Sequence, residues 1–135
     1  MSEIKQNKNI YEKNYDKFIK LVGYNPLTIK YNISIRLKSK GFMDLIIERL
    51  HNNTFSMTHY FELNGDLVAD PDMTFRIVES TNDIKMLEAL SYQDQYIYQE
   101  VYVDEKFYPK LKKQLNSFLS TWLTNLKNQG FCKIK

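Results

Sequence analysis

Glu62, Asp66, Asp70 and Asp72 fall close together around the dipeptide Asn64-Gly65. Oxygen ligands grouped in this way are what hard cations such as Mg²⁺ and Ca²⁺ take. The spacing matches no defined calcium loop, because an EF-hand needs Asp-x-Asp-x-Asp-Gly. Pro71-Asp72 followed by Glu79 has the outline of a metal-dependent nuclease core. Ser80 and Thr81, however, stand where the lysine of such a site belongs. Glu62, Asp70 and Asp72 are the candidate metal ligands on this reading, and a solvated acidic face is the plainer account of them. The expectation is therefore no metal, no other cofactor and no catalytic residue.

Other reactive side chains are sparse. The chain has two histidines, His51 and His59, and one cysteine, Cys132. His59 shares the apolar parity of its segment, which suits a half-buried, hydrogen-bonded ring better than a base or ligand. A zinc site would have to borrow carboxylates, since two histidines and one terminal cysteine do not fill four positions. Neither a Gly-rich phosphate loop nor a nucleophile elbow is present.

The elements that must position these groups are legible from periodicity. Residues 9–22 read as a helix, with Ile10, Tyr11, Tyr15, Phe18, Leu21 and Val22 on one stripe and Gly23 as its stop. Thr28 to Leu37 alternates strictly and reads as a strand, and Phe42 to Leu50 reads as another. Phe55 to Leu63 and Leu67 to Ile77 form a hairpin. A two-residue Asn64-Gly65 turn would set their apolar residues on opposite faces, the one-residue register error. A three-residue loop containing Gly65 at positive φ, or one bulge, restores a common face; the three-residue loop is the expectation. Pro71 lacks an N–H, so the second strand is expected to be an edge or kinked there. Residues 84–91 read as a short helix, 96–103 as a strand, and the segment from about Pro109 to Gly130 as a helix. In that last helix Leu111, Leu115, Phe118, Leu119, Trp122, Leu123 and Leu126 form the core stripe.

The fold class is thus α+β: an antiparallel meander sheet of about five or six strands flanked by an N-terminal and a C-terminal helix. At 135 residues the chain suits a single domain, 1–135, with residues 1–8 as a flexible basic tail. A single cysteine and no apolar stretch of membrane-spanning length suit a cytoplasmic protein with no membrane partner. Charge is unevenly spread. Residues 1–40 carry nine Lys/Arg and three acids, 41–106 four Lys/Arg and 13 acids, and 107–135 six Lys and no acid. Ten Tyr and eight Phe exceed ordinary usage; a sheet-rich core is the plainer account of the excess, and an interface is the alternative.

The run Asn64-Gly65-Asp66-Leu67, Asp70-Pro71-Asp72-Met73 and Phe75 resembles an uncharacterised domain family of plasmids, integrative elements and phages. Phe42-Met43-Asp44-Leu45 and Tyr98-Gln99-Glu100-Val101 fit the same pattern. So does the C-terminal series Phe118-Leu119, Trp122-Leu123, Asn125-Leu126 and Gln129-Gly130-Phe131. The resemblance spans roughly residues 28–131. It implies a mobile-element origin and no mechanism.

Together these point to a non-enzymatic mobile-element accessory protein that binds a host or element-encoded protein. One form is an anti-defence, anti-CRISPR-like inhibitor whose acidic sheet face blocks a basic channel. Tyr60, Glu62, Asp66, Asp70, Asp72 and Arg76 are the candidate interaction face. The alternatives are a nucleic-acid-binding domain using the basic terminal helices, and a metal-dependent enzyme at the acidic hairpin.

Overall fold

The structure, a computed structural model, describes residues 8–133; within that span the side chains of Phe61, Glu62, Ala69 and Lys133 lie outside the description. The expected basic tail falls almost wholly on residues 1–7, which are not described.

Helix α1 (Ile10–Val22) begins at a capping box. Asn9 Oδ1 accepts from Glu12 N at 2.9 Å, while Glu12 Oε1 accepts from Asn9 N at 3.2 Å. A single turn of 3₁₀ helix follows at Pro26–Thr28. Six strands then form an antiparallel meander: β1 (Ser34–Lys38), β2 (Leu45–His51), β3 (Thr54–Leu63), β4 (Asp66–Glu79), β5 (Lys85–Gln93) and β6 (Tyr98–Glu100). A two-stranded ribbon, β7 (Tyr102–Val103) and β8 (Lys106–Phe107), leads into helix α2 (Pro109–Asn128). The two-residue β9 (Cys132–Lys133) then adds to the outer side of β1, making the sheet order β6-β5-β4-β3-β2-β1-β9. The α+β meander expected from periodicity is the fold observed.

Both helices cover one face of the sheet. Phe18 of α1 drives edge-on into Phe75 (centroids 4.9 Å apart) and Phe55 (5.6 Å). Leu115, Leu119, Trp122, Leu123 and Leu126 of the expected stripe are buried beside them, while Leu111 is half-buried and Phe118 exposed. The helices run parallel. Asn14 Nδ2 donates to the Asn116 carbonyl at 3.0 Å, and one turn on Lys17 Nζ donates to Ser120 Oγ at 2.8 Å. Asn116 also accepts from Ala89 N (3.0 Å) through its side-chain oxygen, closing the open edge of β5 where β6 no longer reaches.

The hairpin shows how the register problem is solved. The turn is two residues, not three. Leu63 pairs Asp66, and Asn64 (φ 52°) and Gly65 (φ 87°) both occupy the left-handed region of a type I′ turn. Parity is restored lower down by a bulge, where Asp70 and Pro71 together oppose His59 between the pairs Tyr60↔Ala69 and Thr58↔Asp72. The Asp70–Pro71 peptide is cis. Pro71 therefore sits in an interior strand, where the bulge spares it a ladder bond. Below the bulge Met57 faces Met73 and Phe55 faces Phe75, all fully buried. Above it the slip stands, and Leu67 is left 65% exposed on the outer face.

Three further expectations are corrected. Residues 84–91 are not helical; all but Ile84 belong to β5, which pairs β4 from Glu79↔Lys85 to Asp72↔Gln93. A bulge at Leu90 (Phe75↔Ala89, then Thr74↔Ser91) breaks the alternation and produces apolar spacings of three and four. The strand expected from Thr28 starts only at Ser34. Before it, Arg49 Nη1 donates to the carbonyls of Leu27 and Ile29 at 2.8 Å each, replacing a neighbouring strand, and Asn32 turns the chain at φ 60°. Residues 96–103 are not one strand. Val101 turns inward, fully buried, and divides β6 from β7.

Candidate functional site

Because both helices pack on one side, the other face of the sheet is open. At its β6 end the chain folds back, and the β7–β8 ribbon comes to rest against β5 through one carboxylate. Glu88, 6% exposed, lies opposite Arg76 in the β4–β5 register. Its Oε1 accepts from Arg76 Nε at 2.8 Å, and its Oε2 accepts from the Tyr102 hydroxyl at 2.6 Å and pairs with Lys112 Nζ at 3.0 Å. Burial would push this carboxyl up, but hydrogen bonds from Tyr102, Lys112 and Arg76 outweigh it and hold Glu88 below its ordinary range. Burial and the bond to Glu88 push the Tyr102 hydroxyl the other way, upward. Two cations also lie over rings here: Arg76 is 5.5 Å from the Tyr102 centroid and Lys112 is 5.7 Å from that of Phe107.

Beside this cluster lies an open pocket of about 450 Å³ on the outer face. Its floor is hydroxylic: Thr54, and the Thr74–Ser91 pair whose oxygens stand 2.5 Å apart. Tyr98, Tyr102, Arg76 and Glu100 line it above. Around this corner, apolar and aromatic side chains stand out from the surface, with Tyr96 83% and Tyr98 56% exposed, and Ile97, Phe107 and Tyr108 exposed as well. Tyr102 and Phe107 stack with centroids 5.2 Å apart.

The structure places three of the six residues expected to form an interaction face on the open face of the sheet. Asp72 and Arg76 lie on the open face, Asp72 accepting from Thr58 Oγ1 at 3.1 Å, with its carboxyl pushed up by burial. Tyr60 is on that face too, half-buried, in a second pocket with Ile46 and Leu67. Asp66 is exposed at the hairpin tip. Asp70, in the bulge, acts on Tyr92, whose ring packs at 5.3 Å on Phe118 of the helix layer. Burial together with Asp94 and Asp70 pushes the Tyr92 hydroxyl up to about 12. The Glu62 side chain lies outside the described residues. The candidate metal trio thus falls partly outside the description, and among the described residues no three His, Cys, Asp or Glu side chains are grouped to hold an ion.

The open face carries cations among its acids. Arg36 and Lys38 share Asp44 (2.7 and 3.2 Å), and Arg76 neutralises Glu88. Of the acids of residues 41–106, Asp66, Glu79, Asp83 and Asp104 sit at turns and strand ends, while Glu48, Asp72 and Glu88 stand within strands on the open face. The two basic segments do converge: α1 and α2 together hold seven lysines against two acids. Lys17, Lys20 and Lys127 border a groove of about 480 Å³ between them, floored by Leu21, Leu123 and Phe131.

Glu88, Tyr102 and Lys112 went unrecognised in the sequence, along with the pocket residues Tyr98, Ser91 and Glu100. The signal that would have found Glu88 is the strand pairing of residues 85–93, which sets it opposite Arg76. No helix among the described residues is long and apolar enough to cross a membrane.

Comparison with known proteins gives a family without an activity. The family model described as "Domain of unknown function (DUF6908)" matches residues 1–132. Searches of curated proteins and of solved structures each returned no match.

Proposed function

The chain belongs to the DUF6908 family of domains of unknown function, and we propose that it is a non-enzymatic protein-binding module. It uses the open face of the sheet at the β6–β8 corner. The observation that carries this is the group of exposed side chains there, Tyr96, Ile97, Tyr98, Phe107 and Tyr108, gathered beside a sheet face that neither described helix covers. Exposed aromatics with polar tips are enriched at protein interfaces, where they bury large area at little entropic cost. The resemblance to domains of plasmids, integrative elements and phages supports an accessory role for a mobile element, acting in the cytoplasm on a host or element-encoded protein. An anti-CRISPR-like inhibitor that imitates nucleic acid calls for an unbroken acidic surface. Arg36, Lys38 and Arg76 interrupt this one, which favours aromatic contact over charge mimicry.

The test is capture from host lysate with the wild-type chain and with a Tyr98→Ala, Phe107→Ala double variant of unchanged circular dichroism. A protein retained by the first and lost by the second is the expected result. Retention by both, or by neither, overturns the proposal.

A second reading, nucleic-acid binding by the helix layer, is favoured by its seven lysines. Lys20 and Lys127, however, sit in the last turns of parallel helices, where they answer the negative ends of two dipoles. Titration with a labelled single-stranded oligonucleotide tests it: binding that falls steeply with salt supports it, and no binding at low salt ends it.

A further inference from the structure

The pocket on the open face carries charge that nothing in the described chain neutralises. Two basic side chains line it: the His51 imidazole, and Arg76, which is taken by Glu88 and lies over Tyr102. Arg36 and Lys38 are taken by Asp44, and Lys112 by Glu88. Glu100 on the pocket's rim and Asp72 close by have no basic group within ion-pair distance among the described residues. Both act on Tyr98, which stands between them in the register: Tyr98 pairs Gln93, Gln93 pairs Asp72, and Glu100 pairs Ser91. Burial, then Glu100, then Asp72 push the Tyr98 hydroxyl upward. The described sheet and its loops are acidic as a whole, with 13 acids against seven Lys/Arg over residues 34–107.

An aromatic ring more than half exposed, a hydroxylic floor and a carboxylate with no ion-pair partner among the described residues are the groups that recognise a guanidinium or ammonium. The Tyr98 ring supplies cation–π attraction, the carboxylate a charge-assisted hydrogen bond, and the hydroxyls accept the remaining N–H groups. We infer that the partner presents a basic segment, one of whose Arg or Lys side chains enters this pocket beside Tyr98 and meets Glu100. This rests on the protein-binding reading and adds the chemistry of the partner. Arg76 over Tyr102 and against Glu88 is the chain's own example of the contact.

Two measurements decide it. In the first, the ¹⁵N-labelled full chain is titrated with a ten-residue peptide of alternating Arg and Gly, and with the same peptide carrying Glu for Arg. Shifts at Ser91, Tyr98, Glu100 and Tyr102 with the Arg peptide alone are expected, weakening with salt and falling about tenfold in affinity in Glu100→Gln, the loss of one charge-assisted contact. Shifts confined to the helix layer, equal binding by Glu100→Gln, or binding of the Glu peptide overturns the inference. In the second, Tyr98 is replaced by p-benzoylphenylalanine and cross-linked in host lysate, and the adduct is mapped by mass spectrometry. Attachment to a Lys/Arg-rich segment of another protein supports the inference. Attachment to an acidic or neutral segment, or to a second copy of this chain, overturns it and leaves protein binding standing. No adduct together with no captured protein overturns both.

Discussion

The Tyr102 hydroxyl donates a 2.6 Å hydrogen bond to Oε2 of Glu88, and through it the β7–β8 ribbon is held to the sheet. The residues on either side of Tyr102 explain why one bond matters. Val101 is anchored by its N–H to the Leu90 carbonyl (2.9 Å) and by a fully buried side chain, whereas Val103 to Phe107 are exposed. Tyr102 is therefore the outermost attachment of an otherwise solvated ribbon. Tyr102→Phe keeps the ring and removes the bond. It is expected to destabilise the domain by about 1.5 kcal/mol, the low end for a hydrogen bond to a charged group because the ring is partly exposed. Hydrogen exchange at residues 102–107 should rise more than exchange in β3.

Glu88 sets an acid limit on stability. Its carboxyl titrates below the ordinary value in the fold, so its contribution is fully present above the unfolded carboxylate range and is lost as pH falls through the lower, folded value. Urea midpoints should decline below about pH 4.5, the region of the unfolded glutamate pKa. Glu88→Gln should lower stability at pH 7 and flatten that decline. An unchanged pH profile in the variant would refute this account of the network.

Asp72 has the opposite sign. Burial raises its carboxyl, so ionisation opposes folding at neutral pH and acidification relieves the penalty. Asp72→Asn retains an oxygen for Thr58 and removes the charge. Its thermal midpoint at pH 7 should be equal to or above that of the wild type, a gain of at most about 1 kcal/mol, and the advantage should vanish at low pH.

Asn116 joins three elements: it accepts from Ala89 N, donates to the Lys112 carbonyl at 2.8 Å, and its own carbonyl receives Asn14 Nδ2. Asn116→Leu fills similar volume but leaves a buried N–H on β5 without a partner. A loss of about 2–3 kcal/mol is expected in chemical denaturation, against under ~0.5 kcal/mol for an exposed helix position such as Ser117→Ala.

Gly65 holds φ at 87° in a turn where nothing crowds its α-carbon. Gly65→Ala therefore tests backbone conformation alone, and about 1 kcal/mol of destabilisation is expected, with native spectra retained.

Much of this fold could be read before it was seen, and the parts that could not share a cause. α1, α2 and β3 have one wet face and one dry face, so their periods survive in the sequence. β5 does not. Lys112 and Tyr102 reach across its outer side to bury Glu88, and the bulge at Leu90 shifts the phase, so a strand shows helical spacings. The hairpin was nearly legible: parity demanded a correction, but not whether the turn or a bulge at Asp70-Pro71 would supply it. The candidate site was largely illegible. Arg76 and Asp72 announced themselves by alternation, whereas Glu88, Tyr102 and Lys112 meet only because register and chain reversal bring three separate segments together. Of the residues that carry the family resemblance, the Asn64-Gly65 turn, the Asp70-Pro71 bulge and the buried positions of α2 are structural, whereas Tyr98 and Glu100 stand at the pocket on the open face.

The parallel pairing of α1 with α2 also has a consequence in time. Asn14 and Asn116 meet across 102 positions, so α1 is made well before the helix it docks beside. Until then Phe18, Leu21 and Val22 lack their helical neighbour and part of their cover, and closing so long a loop is slow. During synthesis the helix layer thus stays half built until α2 arrives.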